Sequence, residues 1–224
     1  MLRYNNLQMT CKYEKIEWIE EMNGVEVDCS LDIAIHPTGS NTILLTIPGV
    51  DGSVDGYKDK YRRIAESVQE EQGVSVVRMS NPFITSFHWE SNIRKALEFI
   101  SVNLPTITEG NKAEIRIMAH SAGAAIVAQI AWEYPEIKRL LLVNPATKLG
   151  LDKMKLGLSM FKGDDITVLY GSLDPAIDDV NEFSGIESKV PINTFVLEGV
   201  DHHFSGTDGL IQFIAAPKNH LFIQ

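Results

Sequence analysis

Residues 118–125 have the sequence MAHSAGAA, and this short stretch decides the fold. It follows an apolar run, AEIRIMA (113–119), that predicts a buried strand. It also opens the segment 121–134, which is rich in small and apolar residues and predicts a buried helix closed by Pro135. Small residues lie two positions to either side of Ser121, as a close strand-to-helix junction requires. A serine before a helix also commonly caps it, so the pattern alone leaves both interpretations open.

Outward from this junction, strand-like and helix-like segments alternate, which predicts an α/β domain with a mostly parallel sheet. Two strands, 13–21 and 25–35, come first and form a hairpin, because Asn23 and Gly24 between them both tolerate positive φ. The other predicted strands are 41–49, 74–79, 113–119, 139–144, 166–170 and 192–199. The predicted helices are 57–72, 86–103, 121–134 and a short one from near Thr207 to Ala216, before Pro217.

The run from Ala119 to Gly123 resembles the G-x-S-x-G nucleophile elbow of the α/β-hydrolase superfamily, with alanine replacing the first glycine. The resemblance implies an α/β-hydrolase fold: an N-terminal antiparallel hairpin, then a mostly parallel sheet with helices on both faces. Only about twenty residues separate strands 139–144 and 166–170, so we expect a minimal lid. The resemblance spans nearly the whole chain. We therefore expect one domain over residues 1–224, in which 1–12 could form a loose extension.

The same resemblance implies that an acidic residue and then a histidine follow the serine along the chain. The sequence VLYGSLDP (168–175) resembles the acid loop, with Asp174 just past the carboxyl end of its strand, where catalytic groups collect. Asp178 and Asp179 are the alternatives. Asp174 could also simply cap a helix that begins at Pro175.

The histidine implied by the resemblance lies in EGVDHHFSG (198–206), which is similar to the superfamily's G-x-D-H-x-F loop. That alignment makes His202 the general base and leaves His203 packed beneath the loop or facing solvent. His220 is the other histidine after Ser121. His36 and His88 precede the serine, and His120 beside it is expected to point elsewhere. A metal site built from Asp201, His202, His203 and Asp208 is a competing interpretation, but it lacks the spacing of a known zinc motif.

Two backbone amides are expected to form an oxyanion hole. The superfamily takes one from the residue after the nucleophile, here Ala122. The other comes from the loop after the third strand, TIPGVDGS (46–53), which resembles the superfamily's H-G-x-x-G stretch with Pro48 in the place of the histidine. By position this donor is the amide of Val50. Asp51 is a weaker alternative, and an ordinary glycine-rich turn remains open.

Composition limits the classes of function. The chain has 224 residues and a net charge of −10, which disfavours nucleic acid and anionic membranes as partners. We expect Cys11 and Cys29 to be reduced thiols rather than a disulfide between the paired strands. The N-terminus shows no apolar signal-peptide region, so we expect a cytoplasmic protein. No motif indicates a cofactor or a metal, and the expected partner is a small-molecule acyl substrate.

The resemblance thus implies a serine hydrolase that cleaves an ester or thioester through an acyl-enzyme on Ser121, with Asp174 and His202 completing the triad. Acyl transfer to an acceptor other than water, including a thioesterase role in a biosynthetic pathway, is the alternative within catalysis. A binding protein on the same scaffold and a flavodoxin-like binding domain are the alternatives outside it. An intact serine, aspartate and histidine favour an enzyme.

Overall fold

The computed structural model describes residues 11–83 and 88–223, and its centre is an eight-stranded sheet. The strands are β1 (Lys12–Met22), β2 (Val25–His36), β3 (Thr42–Ile47), β4 (Ser75–Met79), β5 (Glu114–His120), β6 (Ile137–Val143), β7 (Asp165–Gly171) and β8 (Ile192–Leu197). Their order across the sheet is β1-β2-β4-β3-β5-β6-β7-β8. The β2 strand pairs antiparallel with β1 and with β4, and all the other neighbours are parallel. The predicted fold class is confirmed.

The helices cover both faces of this sheet. They are α1 (Lys60–Gln72), α2 (His88–Val102), α3 (Leu104–Ile107), α4 (Ala122–Ile130), α5 (Leu151–Met160), α6 (Val180–Ser184) and α7 (Gly206–His220). Alternation along β3 divides the core in two. Ile43 and Leu45 pack on one face with the cluster that includes Ile93 of α2, whereas Leu44 packs on the other face with Tyr61 of α1 and Phe213 of α7. Successive strand residues point to opposite faces, so one strand supplies both cores.

The β1–β2 hairpin forms as its turn sequence predicts. Asn23 and Gly24 have φ of 50° and 80°, which matches the right-handed twist of the flanking strands. Met22 pairs with Val25 across this two-residue turn. Lys12 already belongs to β1 and pairs with Ile35, so the predicted loose extension does not include it. Residues 1–10 of that extension lie outside the described residues.

The end of the last helix differs from the prediction. The helix was expected to stop at Ala216, but α7 continues to His220 with Pro217 inside it. Proline has no N–H and usually ends a helix. Here Pro217 is buried, and its carbonyl accepts the N–H of Leu221 at 2.7 Å, with Leu221 itself fully buried. Tertiary burial of this last turn therefore outweighs the lost hydrogen bond.

The segment between β6 and β7 forms a helix packed on the sheet. Its helix α5 lies against α4 so closely that a methyl group on Gly157 would come within 2.2 Å of the carbonyl oxygen of Ala128. Such contact requires glycine, because the obstacle is backbone.

The start of the predicted helix 86–103, including Phe87, lies outside the described residues. Within the described ranges, no helix is long and apolar enough to cross a membrane. Cys11 is exposed, whereas Cys29 is buried.

Candidate active site

Ser121 stands on a sharp turn between β5 and α4. Its φ of 54° and ψ of −119° are unusual for a residue with a side chain. The turn is held by the Ser121 N–H, which donates to Val143 of β6 at 2.9 Å, and by the Ser121 carbonyl, which accepts from Ala125 at 3.0 Å. The hydroxyl caps no amide of the first helical turn. A helix cap therefore does not account for this serine.

The small residues around Ser121 are there for packing. A methyl group on Gly123 would come within 2.4 Å of the Pro48 carbonyl oxygen and 2.7 Å of Ile47 Cγ2. Ala119 is fully buried and pairs in register with Ile47 on β3. Glycine is thus required after the serine, while the position before it accepts alanine.

Three predicted side chains meet at the carboxyl ends of the strands. His202 Nε2 lies 2.9 Å from Ser121 Oγ, and His202 Nδ1 lies 2.6 Å from Asp174 Oδ2. In a neutral imidazole one nitrogen donates and the other accepts. The Nδ1–H therefore donates to the carboxylate, and Nε2 accepts the hydroxyl proton of the serine. A continuous hydrogen-bond chain joins Asp174, His202 and Ser121.

Asp174 is buried, and both of its carboxylate oxygens accept hydrogen bonds. It is 2% exposed, and its second oxygen, Oδ1, accepts the N–H of Ala176 at 2.7 Å. Of the alternatives, Asp178 is exposed, and Asp179 accepts a hydrogen bond from the hydroxyl of Thr147 at 2.5 Å. Neither is bonded to a histidine among the residues described.

The acid and histidine loops touch each other directly. A methyl group on Gly171 would come within 2.2 Å of the carbonyl oxygen of Val200, and the N–H of Leu173 donates to that oxygen at 2.9 Å. Glycine at the end of β7 therefore lets the two loops share backbone hydrogen bonds. This contact fixes the distance between Asp174 and His202.

The predicted oxyanion donors lie beside the serine. A methyl group on Gly49 would come within 3.0 Å of Ser121 Cβ, so the loop after β3 runs directly against the turn of Ser121. Neither the Val50 amide nor the Ala122 amide has an acceptor within the described part of the chain. An oxyanion hole requires N–H groups that have no other acceptor, and these two amides meet that condition. The carboxylate of Asp51 is occupied by the N–H of Phe83 at 2.8 Å.

No family model and no curated protein matches the sequence. Solved structures do match over almost the whole length. A dienelactone hydrolase from Anabaena variabilis has a TM-score of 0.69 at 15% identity, covering 94% of this chain and 97% of its own. Est1E from Butyrivibrio proteoclasticus has 0.65 at 15%, covering 91% and 96%, and an esterase from Pyrococcus furiosus has 0.64 at 13%, covering 98% and 91%. This chain has the α/β-hydrolase fold.

Within this fold, the side chain of His120 binds the backbone of the histidine loop. Its Nε2 lies 2.8 Å from the backbone carbonyl oxygen of His202. A carbonyl only accepts, so His120 carries its proton on Nε2. Burial holds the pKa of His120 well below its usual range, and the nearby charge of Lys60 lowers it further, so the ring stays neutral. Among the described residues His120 is not bonded to the Ser121 hydroxyl, as expected, but its bond to the histidine loop was not foreseen.

Asn144 is a second residue that the sequence analysis missed. It follows β6, is fully buried and has a φ of 43°. Its amide donates to the His202 carbonyl at 3.0 Å, and its Oδ1 accepts the N–H of Gly171 at 2.8 Å. One side chain thus joins the histidine loop to the acid loop. Its place just after the carboxyl end of a parallel strand was a signal that could have found it.

The other residues of the histidine loop have separate roles. His203 is exposed, with its ring edge-on to that of His202 at 5.2 Å. Asp201 Oδ1 accepts the N–H groups of Ser205 and His203 at 2.8 and 3.1 Å, and these bonds, that of Ser205 above all, hold the pKa of Asp201 below its usual range. Among the described residues, no three His, Cys, Asp or Glu side chains are grouped as a metal ion would need. His220 lies at the end of α7, 4.9 Å from the ring of Phe195.

An open cavity of about 380 Å³ lies beside Ser121 and His202, and we call it the Ser121 cavity. Its walls include Val50 and Asp51 of the loop after β3, and also Lys60 at the start of α1. A larger surface cleft of about 640 Å³ lies between α5 and α6, and none of the predicted site residues lines it. The larger cleft therefore lacks the predicted reactive side chains, and the smaller Ser121 cavity, which has Ser121 and His202 in its wall, is the candidate site.

Proposed function

We propose that this α/β-hydrolase is a serine hydrolase that cleaves an ester-type bond, a carboxylic ester or thioester, through an acyl-enzyme on Ser121. The observation that carries the proposal is the hydrogen-bond chain from Asp174 through His202 to Ser121, with spacings of 2.6 and 2.9 Å. A serine hydroxyl is a weak nucleophile until an adjacent base takes its proton. The chain supplies that base already oriented by a buried carboxylate.

The reaction begins when Ser121 Oγ attacks the substrate carbonyl and His202 Nε2 takes its proton. Asp174 keeps the imidazole in the required tautomer and stabilises the imidazolium. The amides of Val50 and Ala122 donate to the oxyanion of the tetrahedral intermediate, and one such donor can lower the barrier by about 3 kcal/mol. His202 then protonates the leaving group. Water, deprotonated by the same histidine, releases the acyl group from the serine.

Two further observations support an ester substrate of small size. One of the similar structures is named as an esterase and another as a dienelactone hydrolase. The Ser121 cavity, at about 380 Å³, lies within the range of small-molecule sites. The substrate we propose is therefore a small acyl compound, and the site as described contains every group that this chemistry needs.

A labelling experiment tests the proposal. A fluorophosphonate probe should label the wild-type protein, and p-nitrophenyl acetate should be hydrolysed. Ser121→Ala should abolish both. Ser53→Ala is the matched control, because Ser53 also lines the Ser121 cavity but its hydroxyl bonds only the N–H of Gly56. A folded wild-type protein that neither reacts with the probe nor hydrolyses any ester would overturn the proposal in favour of a binding protein.

A further inference from the structure

A lysine is buried in the wall of the Ser121 cavity. Lys60 is 7% exposed, and its ammonium lies 4.1 Å from the ring centroid of Phe213 and 5.3 Å from that of Tyr61. Lysines are almost never this buried unless they are paired. The cavity thus contains a cation whose position needs an explanation.

No anion in the described protein accounts for Lys60. None of the described carboxylates comes within 4.0 Å of its ammonium, which makes no hydrogen bond there either. Asp51 lines the same cavity, but its carboxylate is bonded to Phe83. The hydroxyl of Tyr61, beside Lys60, is also buried without a described partner. The Tyr61 hydroxyl therefore lacks the partner that burial demands, whereas the Lys60 ammonium keeps a small exposed surface in the wall of the cavity.

The aromatic rings compensate Lys60 only in part. A cation over an aromatic face is stabilised only weakly by the electrons of the ring. Burial still lowers the pKa of Lys60 from 10.5 to about 8, so the ammonium remains mostly charged at neutral pH. His120, the titratable group of β5 facing it, is neutral, so Lys60 supplies the positive charge of this wall. The carboxylate of Asp51, which accepts the N–H of Phe83, supplies a negative charge elsewhere in the cavity.

We propose that Lys60 is a specificity-determining residue that pairs with a carboxylate on the substrate, so that the preferred substrates are esters carrying one free carboxylate. The inference rests on the proposed function, because the carboxylate belongs to the ester that Ser121 attacks. A single buried ammonium matches a monoanion better than a phosphate dianion. The net charge of −10 repels anions at long range, so the preference depends on the local pair.

Paired substrates test this proposal. Mono-p-nitrophenyl adipate and p-nitrophenyl hexanoate differ only in the carboxylate at the far end of the acyl chain. The pair 3-carboxyphenyl acetate and phenyl acetate places the carboxylate on the alcohol side. For at least one pair, Lys60→Met should lower kcat/KM about 10- to 100-fold on the carboxylated member, as loss of a charge-assisted hydrogen bond predicts. On the neutral member it should change kcat/KM less than about threefold.

The control variant is Lys58→Met. Lys58 lies two residues before Lys60, is exposed and does not line the cavity, so this variant removes an equal charge outside the site. Lys58→Met should leave kcat/KM unchanged on both the carboxylated and the neutral member of each pair. Equal loss on charged and neutral esters, or no loss on either, would overturn the role of Lys60. A binding measurement, which does not depend on turnover, separates failure of the Lys60 proposal from failure of the proposed function. Monomethyl adipate should bind the Ser121→Ala variant in a calorimetric titration. Adding Lys60→Met to that variant should abolish the binding. Undiminished binding to the double variant would also overturn the proposal.

Discussion

The side chain of His120 and the backbone carbonyl of His202 are joined by a hydrogen bond of 2.8 Å. The residue immediately before the proposed nucleophile thus holds the backbone of the residue proposed to activate it. The same carbonyl accepts a second bond from Asn144 at 3.0 Å. The imidazole of His202 is therefore positioned from behind by two buried donors as well as from the side by Asp174.

This relationship predicts a positioning role for His120. His120→Leu removes one buried donor, and we expect kcat to fall about tenfold with KM nearly unchanged, because Asn144 still holds the carbonyl. His120→Gln keeps an N–H donor and should recover most of the lost kcat. Steady-state kinetics on p-nitrophenyl acetate measure both. Equal kcat in the two variants would show that the hydrogen bond does not matter for turnover.

The doubled histidine predicts an unequal pair of variants. His202→Ala should reduce kcat as much as Ser121→Ala, and combining the two should cost no more, because triad members act as a unit. His203→Ala should retain most of the activity, since its side chain is exposed and bonds neither Ser121 nor Asp174 in the described structure. An inactive His203→Ala beside an active His202→Ala would reverse the assignment.

The acid loop predicts a charge-specific effect. Asp174→Asn keeps the size of the side chain but removes the charge that stabilises the imidazolium, so kcat should fall by several orders of magnitude. Asp178→Asn is the matched control, since it makes the same change at an exposed position four residues further on. A large loss in the control instead would mean that the wrong carboxylate has been chosen.

The packing of the elbow predicts a loss of stability. Gly123→Ala would place a methyl group 2.4 Å from the Pro48 carbonyl, and because backbone cannot easily move, we expect the free energy of unfolding to fall by about 2 kcal/mol or more. Gly185→Ala is the control, because its methyl group would meet no atom closer than 4.0 Å. Urea titrations compare the two. Similar midpoints for both variants would contradict the predicted crowding.

Burial of Lys60 predicts a pH-dependent stability. The folded pKa of about 8 is below the ordinary 10.5, so the charged form is penalised in the folded state. Lys60→Met should therefore raise the free energy of unfolding by roughly 1–3 kcal/mol at pH 7. Between pH 8 and 10.5 the folded protein releases this proton while the unfolded chain keeps it, so wild-type stability rises and the difference narrows.

Two titratable groups beside Lys60 do not interfere with that measurement. His120 is already neutral above pH 7, and burial raises the pKa of Tyr61 far above the window. Lys58→Met, which changes an exposed lysine, should show no such pH dependence. A constant difference between Lys60→Met and wild type from pH 7 to pH 10 would contradict the buried charge.

The sequence could predict the strands because their signals are local, whereas the three groups joined at Ser121 were predicted from the resemblance to the superfamily's motifs. An apolar run predicts a buried strand, and the residues that follow each parallel strand share one edge of the sheet. The helical turn after Pro217 could not be found this way, because burial of Leu221 outweighs a local signal against helix. Likewise, the sequence of α1 gives no sign that its first residue, Lys60, lines the Ser121 cavity.

The backbone of Ser121, with φ of 54° and ψ of −119°, also has an evolutionary consequence. A residue with a side chain held in such a conformation costs of order 1–3 kcal/mol, whereas glycine adopts it freely. A lineage selected for folding alone would gain stability by mutating this codon to glycine. Backbone conformation thus gives no reason for a side chain at this position, and a hydroxyl group is what serine supplies there and glycine does not.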